Sequence, residues 1–338
     1  MKLNPNSEFI EKLLCLIGLG FAIELVFFKF LPDISTGLIQ SQVSQLTDFD
    51  VFRKAYIDIG TLSYTRPLGS RVFWAVAQFI SHFVHSQDIR LHPLRITAGI
   101  LTPLYVFAGA LPVLRGAVDY NWRRFMAVWA LVVLMGLYLF YPYDMPALAL
   151  ASISLFFLLR ERLGLALMFM LFTGLVRETS FHIVTWVGLW MLLSRSRPIQ
   201  ARLMWFLAFV VAFVVEYQTV RHFYPGPMAA GGILTDWRDI FLSKSTLSLT
   251  VICSLGLQIV LALACLNRLR NRQLVDWRGA FFVANCCVLP AWWIFYRVMA
   301  SNLAEFRLLM PALLPLVYGL AEAADRSVAR EVGPQSGI

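Results

Sequence analysis

Pro67-Leu68-Gly69-Ser70-Arg71-Val72-Phe73-Trp74-Ala75-Val76-Ala77-Gln78-Phe79-Ile80-Ser81-His82-Phe83-Val84 decides how this chain is threaded. The stretch approaches the ~20 apolar residues that a membrane-crossing helix needs, yet it carries Arg71, Gln78, Ser81 and His82. Read as a crossing, it puts the N-terminus outside and the segment around Asp48 in the cytoplasm. Read as a helix lying along the interface, it leaves the N-terminus inside with Lys2 and Lys12, and makes all of 32–95 external. The interfacial reading is the expectation adopted here.

The composition around this stretch leaves little choice of class. Of 338 residues, 59% are hydrophobic and only 14% charged. A soluble chain of this length needs far more charge to cover its surface, and a disordered one needs far less apolar content. Apolar runs fall near 13–31, 96–114, 123–140, 145–159, 163–176, 180–193, 203–220, 247–266, 280–296 and 308–321. The expectation is an all-α polytopic membrane protein of about ten transmembrane helices. It forms a single integral-membrane domain over 1–338, with large loops at 32–95 and 221–246. The first run carries Glu24 and no small-residue cleavage pattern, so it is read as a retained helix. The net charge of +9 is explained by basic loops, without nucleic acid as a partner. After residue 100, one set of loops holds fourteen basic residues and the other six; the first set is expected to be cytoplasmic, together with both termini. Cys15, Cys253, Cys265, Cys286 and Cys287 sit in apolar stretches and read as packing residues.

In that topology the unusual polar residues gather on the external face, and ionisable groups at a membrane boundary persist mainly when paired or used. Asp48 and Asp50, in Thr47-Asp48-Phe49-Asp50-Val51-Phe52, share one side only if the backbone there is extended. Such a pair suits a general base or a divalent cation, or is an ordinary solvated loop. Tyr143 and Asp144, in Phe140-Tyr141-Pro142-Tyr143-Asp144-Met145-Pro146, suit an interfacial turn, with Asp144 either capping the next helix or touching substrate. Between two short apolar runs stands Gly174-Leu175-Val176-Arg177-Glu178-Thr179-Ser180. One continuous helix through it would bury Arg177 near mid-membrane at ~2.5 kcal/mol or more. A tight turn is therefore expected, with Thr179 or Ser180 capping the second helix. Arg177 then suits a phosphate, which its planar fork binds bidentately, or a pair with Glu178 or another loop acid. Glu305 and Arg307 stand at the mouth of the last helix, as a structural clasp or as ligands for a hydroxyl or phosphate. His82, His85, His92, His182 and His222 show no metal spacing, and no P-loop, dinucleotide-binding, HExxH or GxSxG motif occurs.

Taken in order, these motifs resemble the GT-C class of integral-membrane glycosyltransferases, in a small bacterial form. Asp48-Phe49-Asp50-Val51-Phe52 resembles the acidic motif of the class's first external loop. Tyr64-Thr65-Arg66-Pro67-Leu68 and the helix after it resemble its juxtamembrane segment. Arg177-Glu178-Thr179 resembles its short turn between two helices, and Glu305-Phe306-Arg307 before a proline resembles its closing motif. The resemblance implies transfer of a sugar, with inversion, from a polyprenyl-phosphate donor to a lipid-linked or cell-envelope acceptor on the external face of the bacterial inner membrane. Asp48, or Asp50 in second place, would act as the base. Arg177 with Arg66 or Arg307 would neutralise the leaving phosphate, and Tyr143, Asp144, Glu178 and Glu305 would contact substrate. No metal is implied as obligatory, although a divalent cation at Asp48 and Asp50 stays open. Two other readings also stay open: a polysaccharide polymerase or ligase, and a glycolipid or solute transporter or flippase, for which Glu24 and Glu216 are the intramembrane acids.

Overall fold

The computed structural model describes residues 5–25, 46–58, 67–84, 91–115, 120–136, 141–224, 249–270, 277–300 and 306–322. These are helical throughout, with no strand among them and one isolated bridge between Tyr120 and Glu322. In chain order the helices are α1 (Pro5–Leu25), α2 (Phe49–Tyr56), α3 (Pro67–Ser81), α4 (Pro93–Leu114), α5 (Trp122–Gly136), α6 (Asp144–Leu159) and α7 (Leu163–Val176). A 3₁₀ turn over Glu178–Ser180 follows, then α8 (Phe181–Leu193), α9 (Ile199–Phe223), α10 (Leu249–Arg270), α11 (Trp277–Ala300) and α12 (Phe306–Ala321). Each of the ten apolar runs falls on one of these helices. Among the described residues, three stretches are by length and composition able to cross a membrane: Pro93–Leu114, Ile199–Phe223 and Trp277–Tyr296.

The packing is that of a protein whose apolar surface faces outward. On α9 the buried residues are Phe209, Glu216 and Val220, while Met204, Leu207, Val211 and Val215 are exposed. Along α1, Ile10, Leu14, Ile17 and Phe21 are exposed in the same way. Such stripes are a liability in water and a match for lipid. At the centre stands α6, buried on nearly every side and packed on α4, α7, α8 and α12. Small residues make this close approach possible, as they do between membrane helices generally. A Cβ at Gly109 of α4 would stand 3.0 Å from the Ala149 Cα and 2.8 Å from the Trp129 ring. Hydrogen bonds fix the contact: Ser152 Oγ donates to the Gly109 carbonyl at 2.9 Å, and Tyr318 Oη of α12 to the Ser152 carbonyl at 3.1 Å.

The bundle has two unlike ends. At one end, Lys12 Nζ donates to the Leu114 carbonyl at 2.9 Å, Arg123 pairs with Glu11 at 2.5 Å, and the Asn121 amide donates to the Ala321 carbonyl at 2.7 Å. Glu161, with φ of 58°, turns α6 back into α7 there. Its Oε1 accepts from Trp190 Nε1, Ser194 Oγ and Ser196 Oγ. Arg160, Arg162, Arg195, Arg197 and Arg202 surround this clasp, so this is the arginine-rich end. Because Lys12 is held at the C-terminus of α4 while Leu19 and Ile23 are buried in the core, α1 runs antiparallel to α4 and finishes at the opposite end. There α4 also begins, with the Phe49 ring of α2 5.3 Å from His92. The end of α1 and the start of α4 thus stand at one end of the bundle, and α3 begins there too, with Gly69 against Tyr143.

Candidate functional site

The end opposite the arginines collects the polar residues singled out in the sequence. Arg177 is the C-cap of α7 in extended conformation (φ −163°, ψ 145°), and the 3₁₀ turn after it starts α8. The tight turn is as expected, but neither Thr179 nor Ser180 caps α8 through its side chain; the Thr179 hydroxyl is buried with no hydrogen-bond partner among the described residues. Asp144 is likewise not a capping residue. Tyr143 occupies the N-cap of α6 without a side-chain cap, and Asp144 lies in the first helical turn. From there its carboxylate accepts from Arg177 Nη1 at 2.5 Å, with side-chain exposures of 1% and 3%. The physical reason is the α6–α7 hairpin, which brings the start of one helix beside the end of the other. The positive N-terminal end of α6 favours the carboxylate as well. The guanidinium also lies over the Tyr143 ring at 5.8 Å.

Aromatic contacts link this pair to Asp48. Tyr143 meets Tyr56 of α2 at 6.5 Å between ring centroids, and Phe52 stacks on Phe73 of α3 at 5.1 Å. Gly69 of α3 makes room for this junction, since a Cβ there would lie 2.7 Å from Tyr143 Cβ and 3.2 Å from Val176 Cγ1. Gly69→Leu is expected to push α3 off the α6–α7 hairpin and to lower stability by ~1–3 kcal/mol, the range for overpacking. Denaturant unfolding in detergent measures this.

The acidic pair does not meet the condition for sharing one side. The backbone turns helical at Phe49, so Asp48 and Asp50 do not face one side of an extended segment. Asp48 is the N-cap of α2, with Oδ1 accepting from the Asp50 amide at 2.8 Å and the Val51 amide at 3.2 Å. That carboxylate is exposed and directed at a helix N-terminus, whose positive end opposes a divalent cation. Among the described residues, no three His, Cys, Asp or Glu side chains come together as metal ligands.

His92, named in the sequence without a metal spacing, is a neighbour of Asp48, and Arg95 beside it escaped the sequence reading. His92 is the N-cap of α4, its Nδ1 accepting from the Leu94 amide at 3.4 Å. Burial pushes its pKa below the ordinary value; a hydrogen bond to the Leu46 backbone and the Asp48 charge work the other way, and Arg95 adds to the lowering. Arg95, buried in the first turn of α4, went unnoticed because it sits at the rim of an apolar run. The only signal for it was a basic residue just inside a helix begun by His92-Pro93. A lowered histidine pKa means that the unfolded chain binds the proton first. Stability from this group is therefore full above the unfolded value near 6.5 and is lost as pH falls through it. Thermal unfolding between pH 7 and pH 5 is expected to show a smaller acid-induced loss in His92→Asn, which keeps a capping side chain.

Glu178 pairs with Arg221 of α9 at 3.4 Å, half-exposed at the same end. Arg66 and Glu305 lie outside the described residues, as does most of the 221–246 loop. Arg307 lies in the first turn of α12, its side chain undescribed. The structure therefore brings Asp48, Asp50, Tyr143, Asp144, Arg177 and Glu178 to one end of the bundle and engages Arg177 with Asp144. No family model, curated protein or solved structure matches the chain.

Proposed function

We propose that this chain is a multi-pass inner-membrane glycosyltransferase of about ten crossings with both termini in the cytoplasm. It moves a sugar from a polyprenyl-phosphate donor to a lipid-linked or cell-envelope acceptor at the end opposite the arginines. The observation that carries the reading is the convergence of the α2 acidic motif and the α7–α8 arginine turn at one end, joined through Tyr56 and Tyr143. Chemically, Asp48 has an exposed carboxylate with Oδ2 beyond the two backbone bonds made by Oδ1, and takes the proton of the attacking hydroxyl. Arg177 is a fixed positive charge. Asp144 engages one of its five N–H donors, so the guanidinium acts on the departing phosphate as a preorganised electrostatic element. Arg71, over the Tyr224 ring at 4.8 Å, and Arg95 add positive charge beside it. The transport reading draws on Glu216, which lies less than two turns from the end of α9. The test is transfer of sugar from a polyprenyl-phosphate donor to a lipid acceptor by the purified protein in liposomes. Absence of any such transfer across donor sugars removes the reading.

A further inference from the structure

Beside the arginine turn, α7 and α9 flank a narrow cleft, partly open to the surroundings. Its inner wall carries Glu216, 9% exposed; the Leu175 backbone is its polar neighbour, and neither carboxylate oxygen has a side-chain partner among the described residues. The carboxylate approaches the α7 backbone because residue 174 is glycine: a Cβ there would overlap both oxygens. Phe213 and Tyr217 line the cleft, and the Glu178–Arg221 ion pair stands at its mouth.

A buried carboxyl group with only a backbone neighbour leaves most of its acceptor capacity unused, and one held in a cleft is best explained by a ligand that completes it. Three ligand chemistries are possible, and the surroundings separate them. A metal ion lacks further ligands, since the one other acid of the cleft, Glu178, is committed to Arg221. An organic cation finds a single carboxylate beside a Glu178–Arg221 pair of no net charge, and needs more room than the cleft offers. A hydroxyl group donates to a carboxylate without adding charge. The enclosed part of the cleft holds about one water-sized group, which is the size of a hydroxyl. The rings of Phe213 and Tyr217 offer apolar faces to the C–H surface of its carrier.

We infer that the Glu216 cleft is a subsite for a hydroxyl group of a sugar, with Glu216 as the acceptor and Gly174 as the residue that makes room. The hydroxyl chemistry follows from the cleft; the choice of a sugar as its carrier rests on the transfer reading above.

The experiment uses the full chain in nanodiscs with hexyl β-D-glucoside as the probe, and hexyltrimethylammonium and 1-hexanol as chain-matched controls. Binding is read by tryptophan fluorescence and by the thermal midpoint. Wild type is expected to bind the glucoside in preference to both controls. Glu216→Met, which keeps the volume and removes the acceptor, weakens that binding about tenfold or more while the unliganded midpoint holds or rises. Unchanged glucoside binding in Glu216→Met overturns the inference. So does Glu216-dependent binding of the ammonium probe without the glucoside, or a lowered unliganded midpoint with no effect on the probe, which marks a purely structural acid. Glutamate-dependent binding in a protein that transfers no sugar sinks the transfer reading and leaves the subsite standing.

Discussion

Arg177→Ala is expected to destabilise the protein by ~3–5 kcal/mol, the range found when one member of a buried ion pair is removed. The magnitude follows from burial. Both side chains are nearly fully enclosed and 2.5 Å apart, so the alanine variant leaves the Asp144 carboxylate buried without the guanidinium that balances its charge. Asp144→Leu is expected to do similar harm from the other side. The double variant Arg177→Leu/Asp144→Leu removes both charges and is expected to recover much of the loss, because an apolar pair of similar volume often replaces a buried ion pair without net cost. Equilibrium unfolding of the four proteins in one detergent measures this. A loss under ~1 kcal/mol in the single variants, the range of surface pairs, would show that water reaches the pair. Under the transfer reading, the double variant stays inactive even where it is stable, because its fixed positive charge is gone.

Asp48→Asn is expected to lower turnover by ~10²–10⁴-fold in the lipid-linked transfer assay, the span attributed to a general base. This substitution isolates chemistry from structure unusually well. Asparagine caps helices about as well as aspartate, so the bonds from the Asp50 and Val51 amides survive and α2 stays in place. The thermal midpoint should scarcely move. If turnover is unchanged in folded protein, Asp48 is not the base; if it falls only in Asp50→Asn, the role moves to Asp50.

Most of the helix plan was legible in the sequence because the requirement behind it is simple. A segment surrounded by lipid must be apolar and must satisfy its own backbone, and composition records both facts. The tight turn at Arg177 was legible for the related reason that a charge is expensive at mid-membrane. The Asp144–Arg177 pair was not read, although it was within reach. The two residues stand nearly equidistant from the turn at Glu161, and a short hairpin of two apolar helices brings such positions to one end. Only the loop acid was left unnamed. The conformation of the acidic motif was left open by the sequence, because alternation in Asp48-Phe49-Asp50-Val51 suits an extended segment and the same residues fit a short helix begun by a capping aspartate. Helix α2 takes its stability from Phe52 and Tyr56 packing on α3 and α6, and such partners are invisible to local pattern. Glu216 was noticed as an acid within a span, but its relation to Gly174 arises between helices and leaves no trace in either run alone.

The return of the chain to its point of departure between α1 and α4 has an evolutionary consequence. A segment that starts and stops at the same surface can lengthen, shorten or be exchanged without inverting anything downstream, since the parity of later crossings is untouched. Changes of length are therefore cheapest in the joins on either side of α2 and α3, where they leave the Asp48 cap and the Gly69–Tyr143 contact in place, and variants lengthened there should keep the orientation of the parent.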